Sequence, residues 1–173
     1  TLTTGNNTNT THSGIISGTG SLVKVGTGTF TLTGVNTYTG TTTVSAGTLE
    51  VGDLSRIGSL PDSTAVTVAT GAIYRTNVND TIASLSGNGT VSINGVTLRI
   101  GDSTSTTFSG VISGPGAIRK QGTGTLTLSG NNTYSDQTFV DQGTLAVTQS
   151  SGLGNSIWNA VVNSGGTLDL QNV

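Results

Sequence analysis

The sequence predicts an all-β chain folded as a right-handed parallel β-helix of about eight rungs, and three observations predict it. Residues 13 to 58 recur as residues 109 to 154 at a constant shift of 96, with about half the positions identical, the mark of a repeat architecture. Within each copy, glycine followed by two or three alternating apolar positions returns about every 18 to 24 residues, a spacing typical of solenoid rungs. No helical stripe runs through the chain; the nearest candidate, Asp53 to Leu60, is broken by Gly58 before Pro61. A sandwich or barrel would supply short strands but no sequence period.

Residues 1–12 are rich in Thr and Asn with only Leu2 apolar, and read as a frayed entry or partial rung. Residues 13–108 form the first unit, with strand openings at Gly28 to Leu32, Gly47 to Val51, Gly71 to Ile73 and Gly89 to Ile93. Residues 109–173 form a truncated second unit, with openings at Gly124 to Leu128, Gly143 to Val147 and Gly166 to Leu170. In the run from Gly143 to Val147, Leu145 and Val147 share one face and Thr144 and Ala146 the other, because side chains alternate along a strand. Stacked coils about 4.8 Å apart would then make one continuous rod on the order of 40 Å long, with aliphatic columns inside and ladders of Thr or Asn. The two copies slip by one residue after position 58. There Pro61 and Asp62 stand opposite Ile157 and Trp158, as expected of a variable loop.

Composition narrows the function classes. The 173 residues hold 27 Gly, 2 Pro, 8% charged and 4% aromatic residues at a net charge of -2. Disorder usually carries more net charge, and phosphate backbones require a basic stripe that six Lys and Arg do not supply. Nucleic acid is therefore not an expected partner. Without cysteine there is neither a disulfide frame nor a cysteine zinc site, no run reaches 18 apolar residues, and no methionine stands at position 1. The sequence reads as a fragment of a longer chain.

Aligning the copies separates what the array keeps from what it discards. Copy one holds Lys24, Gly26, Gly28, Thr29, Leu32, Gly34, Asn36, Tyr38, Gly40, Thr42, Gly47, Thr48 and Leu49. Copy two holds Lys120, Gly122, Gly124, Thr125, Leu126, Leu128, Gly130, Asn132, Tyr134, Thr138, Gly143, Thr144 and Leu145. These two stretches, from Leu22 to Val51 and from Ile118 to Val147, resemble the autotransporter-associated β-strand repeat found in passenger domains of Gram-negative type V secreted proteins. Two departures stand out: Phe30 replaces the usual Leu, and Asp136 replaces the glycine seen at Gly40. The resemblance implies a stalk on the cell surface or outside the cell, anchored at the outer membrane by a C-terminal β-barrel that these residues do not include. It also implies a link to translocation through that barrel.

Catalytic and ligand chemistry finds little support. His12 is the single histidine and has no counterpart in copy two, so a triad is not expected and neither is a metal site. The acids Glu50, Asp53, Asp62, Asp80, Asp102, Asp136, Asp141 and Asp169 are scattered, and solvated surface carboxylates explain them better than a glycosidase pair or a calcium site. Lys24 and Lys120 read as charges that blunt a strand edge or cap a corner. Asn36 with Tyr38, and Asn132 with Tyr134, read as a stacked turn Asn beside a packed aromatic. Trp158 occurs once, where the copies diverge, and is the candidate contact residue.

The expected function is that of a non-enzymatic β-helical stalk supporting folding, translocation and surface display, without cofactor or metal. A glycan- or matrix-binding adhesin module is the alternative, and a β-helical polysaccharide lyase or hydrolase the second. Cut solenoid ends expose strand edges, so self-association is also expected.

Overall fold

The computed structural model describes residues 1–53, 55–155 and 160–171; Trp158, the candidate contact residue, lies outside them. The described residues coil into a parallel β-solenoid with three faces. The first face is a nine-stranded sheet of β1 (Leu2–Thr4), β3 (Leu22–Lys24), β5 (Thr42–Val44), β7 (Ala65–Val68), β10 (Ser84–Gly87), β13 (Thr106–Phe108), β16 (Thr125–Leu128), β18 (Gly143–Val147) and β20 (Gly166–Leu170). The second face joins β2 (Thr10–His12), β4 (Thr29–Leu32), β6 (Thr48–Val51), β8 (Ile73–Thr76), β11 (Thr90–Ile93) and β14 (Val111–Ser113). The third joins β9 (Asp80–Ile82), β12 (Thr97–Ile100), β15 (Ala117–Lys120), β17 (Thr138–Val140) and β19 (Val161–Val162). All seven glycine openings lead into strands. Within residues 1–12, β1 pairs with β3 and β2 with β4.

Register shows how the columns form. Leu2 pairs with Leu22, Leu22 with Thr42 and Thr42 with Val66, so most turns take about 20 residues and the turn holding the 53–58 loop takes more. Inward columns such as Phe30, Leu49, Tyr74, Val91 and Ile112 are buried, and burial of this kind is worth about 1.5–3 kcal/mol per large side chain. Outward Ser and Thr form the expected ladders, including Thr67 to Ser86 at 3.0 Å and Ser129 to Ser109 at 3.1 Å.

The two sequence copies do not sit on equivalent faces. Lys24 ends β3 on the nine-stranded sheet, whereas Lys120 ends β15 on the five-stranded sheet. From β7 to β16 the chain visits the nine-, six- and five-stranded faces in turn, whereas β1–β6 alternate between the first two and β17–β20 between the five- and nine-stranded faces; a shift of 96 residues from β3 to β15 spans four turns plus two further faces. Copy two is therefore rotated by one face.

Polar groups are built into the core. Lys24 and Lys120 are only 0% and 2% exposed, and stand in columns otherwise occupied by Val44 or by Ile100 and Val140. Their side chains point inward, so they do not blunt an edge. Lys24 Nζ donates to the carbonyls of Val25 (2.7 Å), Gly26 (2.9 Å) and Ala46 (3.1 Å). Lys120 Nζ does the same to Gln121 (2.6 Å), Gly122 (2.8 Å) and Gln142 (3.1 Å). Three carbonyls saturate the three donors of an ammonium, and the third belongs to the following turn. Burial lowers both lysine pKa values, which the charge of Asp102 partly opposes for Lys120.

Asn36 stitches three turns: its Oδ1 accepts from Ile16 N–H (3.0 Å) and its Nδ2 donates to Gly34 (3.0 Å) and Ser59 (2.8 Å) carbonyls. Asn132 repeats this between Ile112 and Gly152. Tyr38 bonds Thr42, which bonds Thr64, and Tyr134 bonds Thr138; burial pushes both phenols up to about 12. Asp80 is a correction to the expectation of solvated acids, being 1% exposed. Its carboxylate accepts from Tyr74 Oη (2.8 Å) and Leu60 N–H (3.2 Å). Burial pushes Asp80 up to about 6 against these two bonds, with Asp62 adding to the rise, while burial and Asp80 together raise Tyr74.

Corners bring backbone against backbone. Gly26 has φ +70°, and an added Cβ would lie 2.4 Å from the Asn6 carbonyl oxygen of the preceding turn. Gly40 and Asp136 are not in the left-handed region. The glycine at 40 is explained instead by the Gly20 oxygen, 2.5 Å from where its Cβ would be.

Three outcomes follow for urea unfolding. Gly71→Ala, at φ +78° with open space around it, costs about 1 kcal/mol for backbone strain. Gly26→Ala costs distinctly more, the excess measuring turn-to-turn contact. Lys120→Met strands three carbonyls and costs at least ~2 kcal/mol; an unchanged midpoint would mean the cap is dispensable. Asp80 holds its proton more tightly folded than unfolded, so its contribution is fully present below 3.8 and lost as pH rises through about 6. Relative to Asp80→Asn, the native chain should lose about 3 kcal/mol between pH 3.5 and 7; parallel pH profiles would refute this.

Candidate functional site

The kept residues Lys24, Lys120, Asn36, Asn132, Tyr38 and Tyr134 all lie in the interior with their polar atoms spent on the chain itself. Among the described residues, no buried side-chain nitrogen or oxygen lacks a partner. Nothing remains there to meet a ligand, which directs attention to the outer faces.

One outer feature is a groove of about 330 Å³ on the six-stranded face, lined by Thr11, Thr31, Glu50, Asp53, Arg75, Asn77 and Asn94. Strand pairing builds it. Thr11, Thr31, Glu50 and Arg75 stand in one outward row because they are register partners on β2, β4, β6 and β8. Asn77 and Asn94 follow two residues beyond Arg75 and Ser92 and form the second row. Asp53 and Arg56, on the loop that follows β6, make the wall.

Within the groove Glu50 is the hub. Its Oε2 accepts from Thr31 Oγ1 (3.0 Å), and its Oε1 accepts from Asn77 Nδ2 (3.0 Å) and, at 3.5 Å, from Arg75. Asn77 Nδ2 also donates to the Gly52 carbonyl (2.8 Å), and Asn94 Nδ2 donates to Asn77 Oδ1 (2.7 Å). On the wall, Asp53 Oδ1 caps the loop by accepting from Ser55 N–H (2.8 Å). Arg56 adopts φ 57°, a conformation rare outside glycine. It reaches the Gly95 carbonyl at 3.5 Å and lines an adjoining hollow of about 240 Å³ with Asp53, Asn77 and Asn94.

A second charged cluster lies on the five-stranded face. Arg119 contacts Asp141 at 2.8 Å and covers the Phe139 ring at 4.2 Å, while Asn163 donates to Asp141 at 2.7 Å. Burial raises Asp141, but the bonds from Asn163 and Arg119 outweigh it and hold the group below the ordinary carboxylate range. This cluster is closed on itself.

The remaining sequence candidates are not brought together. His12 is exposed and stacks on Phe30 at a centroid distance of 6.5 Å. Asp102 and Asp136 hold their local turns, Asp169 binds Gln171, and Asp62 is exposed. No group of three or more metal-ligating side chains forms among the described residues, and no described helix is long and apolar enough to cross a membrane. Sequence reasoning did not assemble the groove, because Glu50, Arg75 and Asn94 lie on different turns. The available signal was their non-repetition: Ala146 stands opposite Glu50 and Gln149 opposite Asp53.

Comparison with known proteins matches the repeated stretches. The passenger-associated-transport-repeat family matches residues 22–51 and 118–147, the two stretches that carry the buried lysines. The chain is 40% identical over 146 residues, 80% of its length, to the adhesin BmaC autotransporter of Brucella suis biovar 1 (strain 1330). It is 44% identical over 61 residues, 35% of its length, to the extracellular serine protease of Serratia marcescens. These matches span 4% and 5% of the two relatives. No solved structure matches. The chain thus carries two stretches matched by the passenger-associated-transport-repeat model on a parallel solenoid, and most of its length is similar to a short part of an adhesin autotransporter.

Proposed function

We propose that the chain is a non-enzymatic stalk segment that supports folding, translocation and surface display of its parent protein. The observation that carries this reading is the continuous parallel ladder in which both lysine corners are fastened to the next turn. Lys24 reaches Ala46 and Lys120 reaches Gln142, each one turn ahead. A turn emerging from a membrane pore finds a finished edge to pair with, and each lysine adds one bond across the new joint. Adding short turns to an existing edge is the folding mode of solenoids, and each fastened turn resists being drawn back. The partner in this reading is a C-terminal outer-membrane β-barrel of the parent, and the location is the cell surface or the exterior.

An adhesive role is the second reading. The groove at Glu50 and the homology to a protein named as an adhesin support it. A lyase or hydrolase reading has weaker support, since the sole groove carboxylate on the sheet, Glu50, is engaged by Thr31, Asn77 and Arg75. Self-association through the outer edges of β1, β2, β19 and β20 remains a proposal that sedimentation of the isolated chain would test.

Removing residues 22–41, one 20-residue turn, from the full parent should lower its surface display several-fold, as should Lys120→Met at normal transcript levels. Surface protease accessibility equal to the unaltered parent in both variants would defeat the stalk reading.

A further inference from the structure

We propose that the groove over Glu50, Arg75, Asn77 and Asn94, walled by Asp53 and Arg56, binds a neutral oligosaccharide. The inference rests on the adhesive reading and is independent of the stalk reading.

The chemistry of the surface selects the ligand. The backbone donors and acceptors of β4, β6, β8 and β11 are consumed by the parallel ladder, so a peptide cannot add as a strand on this face. Only side chains remain to meet a ligand, and they are carboxylates, amides, guanidinium groups and hydroxyls. Vicinal sugar hydroxyls, each able to donate and accept, match that mixture. The charges select among sugars. Glu50 and Asp53 balance Arg75 and Arg56, leaving the groove without net charge, which gives no advantage to sulfated or sialylated chains.

Geometry adds rigidity and room. Glu50 and Arg75 are direct register partners, so their backbone spacing is that of adjacent strands, about 4.8 Å, and one pyranose ring can touch two turns. The volume of about 330 Å³ falls in the usual range for small-ligand sites, about 300–1,000 Å³. Two of the groove's contacts are stretched: Arg75 to Glu50 and Arg56 to Gly95 both measure 3.5 Å, leaving both guanidinium groups with donors to spare. Asp53 offers its Oδ2 beside the Oδ1 that caps Ser55. Asn94 sits exposed at the junction of both hollows.

The second copy supplies an internal control. At the shift of 96, Glu50 becomes Ala146 and Asp53 becomes Gln149, and at the shift of 95, Arg75 becomes Leu170. The scaffold repeats and the groove does not.

The test titrates the isotope-labelled 173-residue chain with neutral oligosaccharides (chitotriose, cellotetraose, lacto-N-tetraose) and with sialyllactose and a heparin tetrasaccharide. At least one neutral ligand should shift the amide signals of Thr31, Glu50, Arg75, Asn77 and Asn94. Asn94→Ala and Asp53→Ala, both at exposed positions, should weaken it tenfold or more while the amide signals away from the groove keep their native positions. Binding confined to the anionic sugars, shifts located elsewhere, or affinity unchanged in both variants would overturn the proposal. Host cells retained through the groove after glycosidase stripping would overturn the glycan while leaving the adhesive reading intact. Glycan binding weakened by Asn94→Ala without any cell retention would sustain the proposal and defeat the adhesive reading.

Discussion

Every turn of this solenoid has to satisfy the backbone of the turns beside it, and the rest of the structure depends on that constraint. Along the flat faces the parallel ladder does so automatically, but at a corner several carbonyls converge with no strand opposite them. Lys24 and Lys120 answer this by burying an ammonium among three such carbonyls. An ammonium taken out of water is costly unless its hydrogen bonds are replaced. Here each donor finds a carbonyl, and no carboxylate is needed. Asn36 and Asn132 deal with the next corner from the amide side, donating to one turn and accepting from another. The glycines between them let neighbouring backbones approach as closely as these bonds require.

This arrangement explains why the sequence is so poor in the residues that usually fill a core. A narrow triangular interior admits one or two side chains per face and turn, so Leu, Ile and Val alternate with a few polar groups that reach their own backbone. Tyr38 and Tyr134 serve as apolar bodies with a hydroxyl that ends on Thr42 or Thr138. Asp80 is the exception, a carboxylate held by Tyr74 and Leu60. Its environment makes the core of these turns more comfortable in acid than at neutrality.

Much of the fold was legible from the residues. The strand openings at Gly28, Gly47, Gly89, Gly124 and Gly143 announced themselves through alternation and period. Short strands such as β9 and β13 did not, because three residues cannot display an alternation. The inward orientation of Lys24 was hidden for a different reason: a lysine at a strand end usually belongs to solvent, and only the corner carbonyls reveal why this one does not. The groove was illegible because its members are gathered by register, 19 to 25 residues apart, with nothing local to link them. The useful clue was negative, in that Glu50 and Asp53 belong to what the array discards.

The mismatch between the repeat length and the turn has a consequence for longer arrays. Because 96 residues carry the chain four turns and two faces onward, successive copies present their divergent loops like steps on a spiral stair. The 53–58 loop leaves the six-stranded face, while the corresponding segment after β18 leaves the nine-stranded face. A rod built from several such units would display its variable segments in every direction around its axis. A surface meeting the rod from any side would then find one of them.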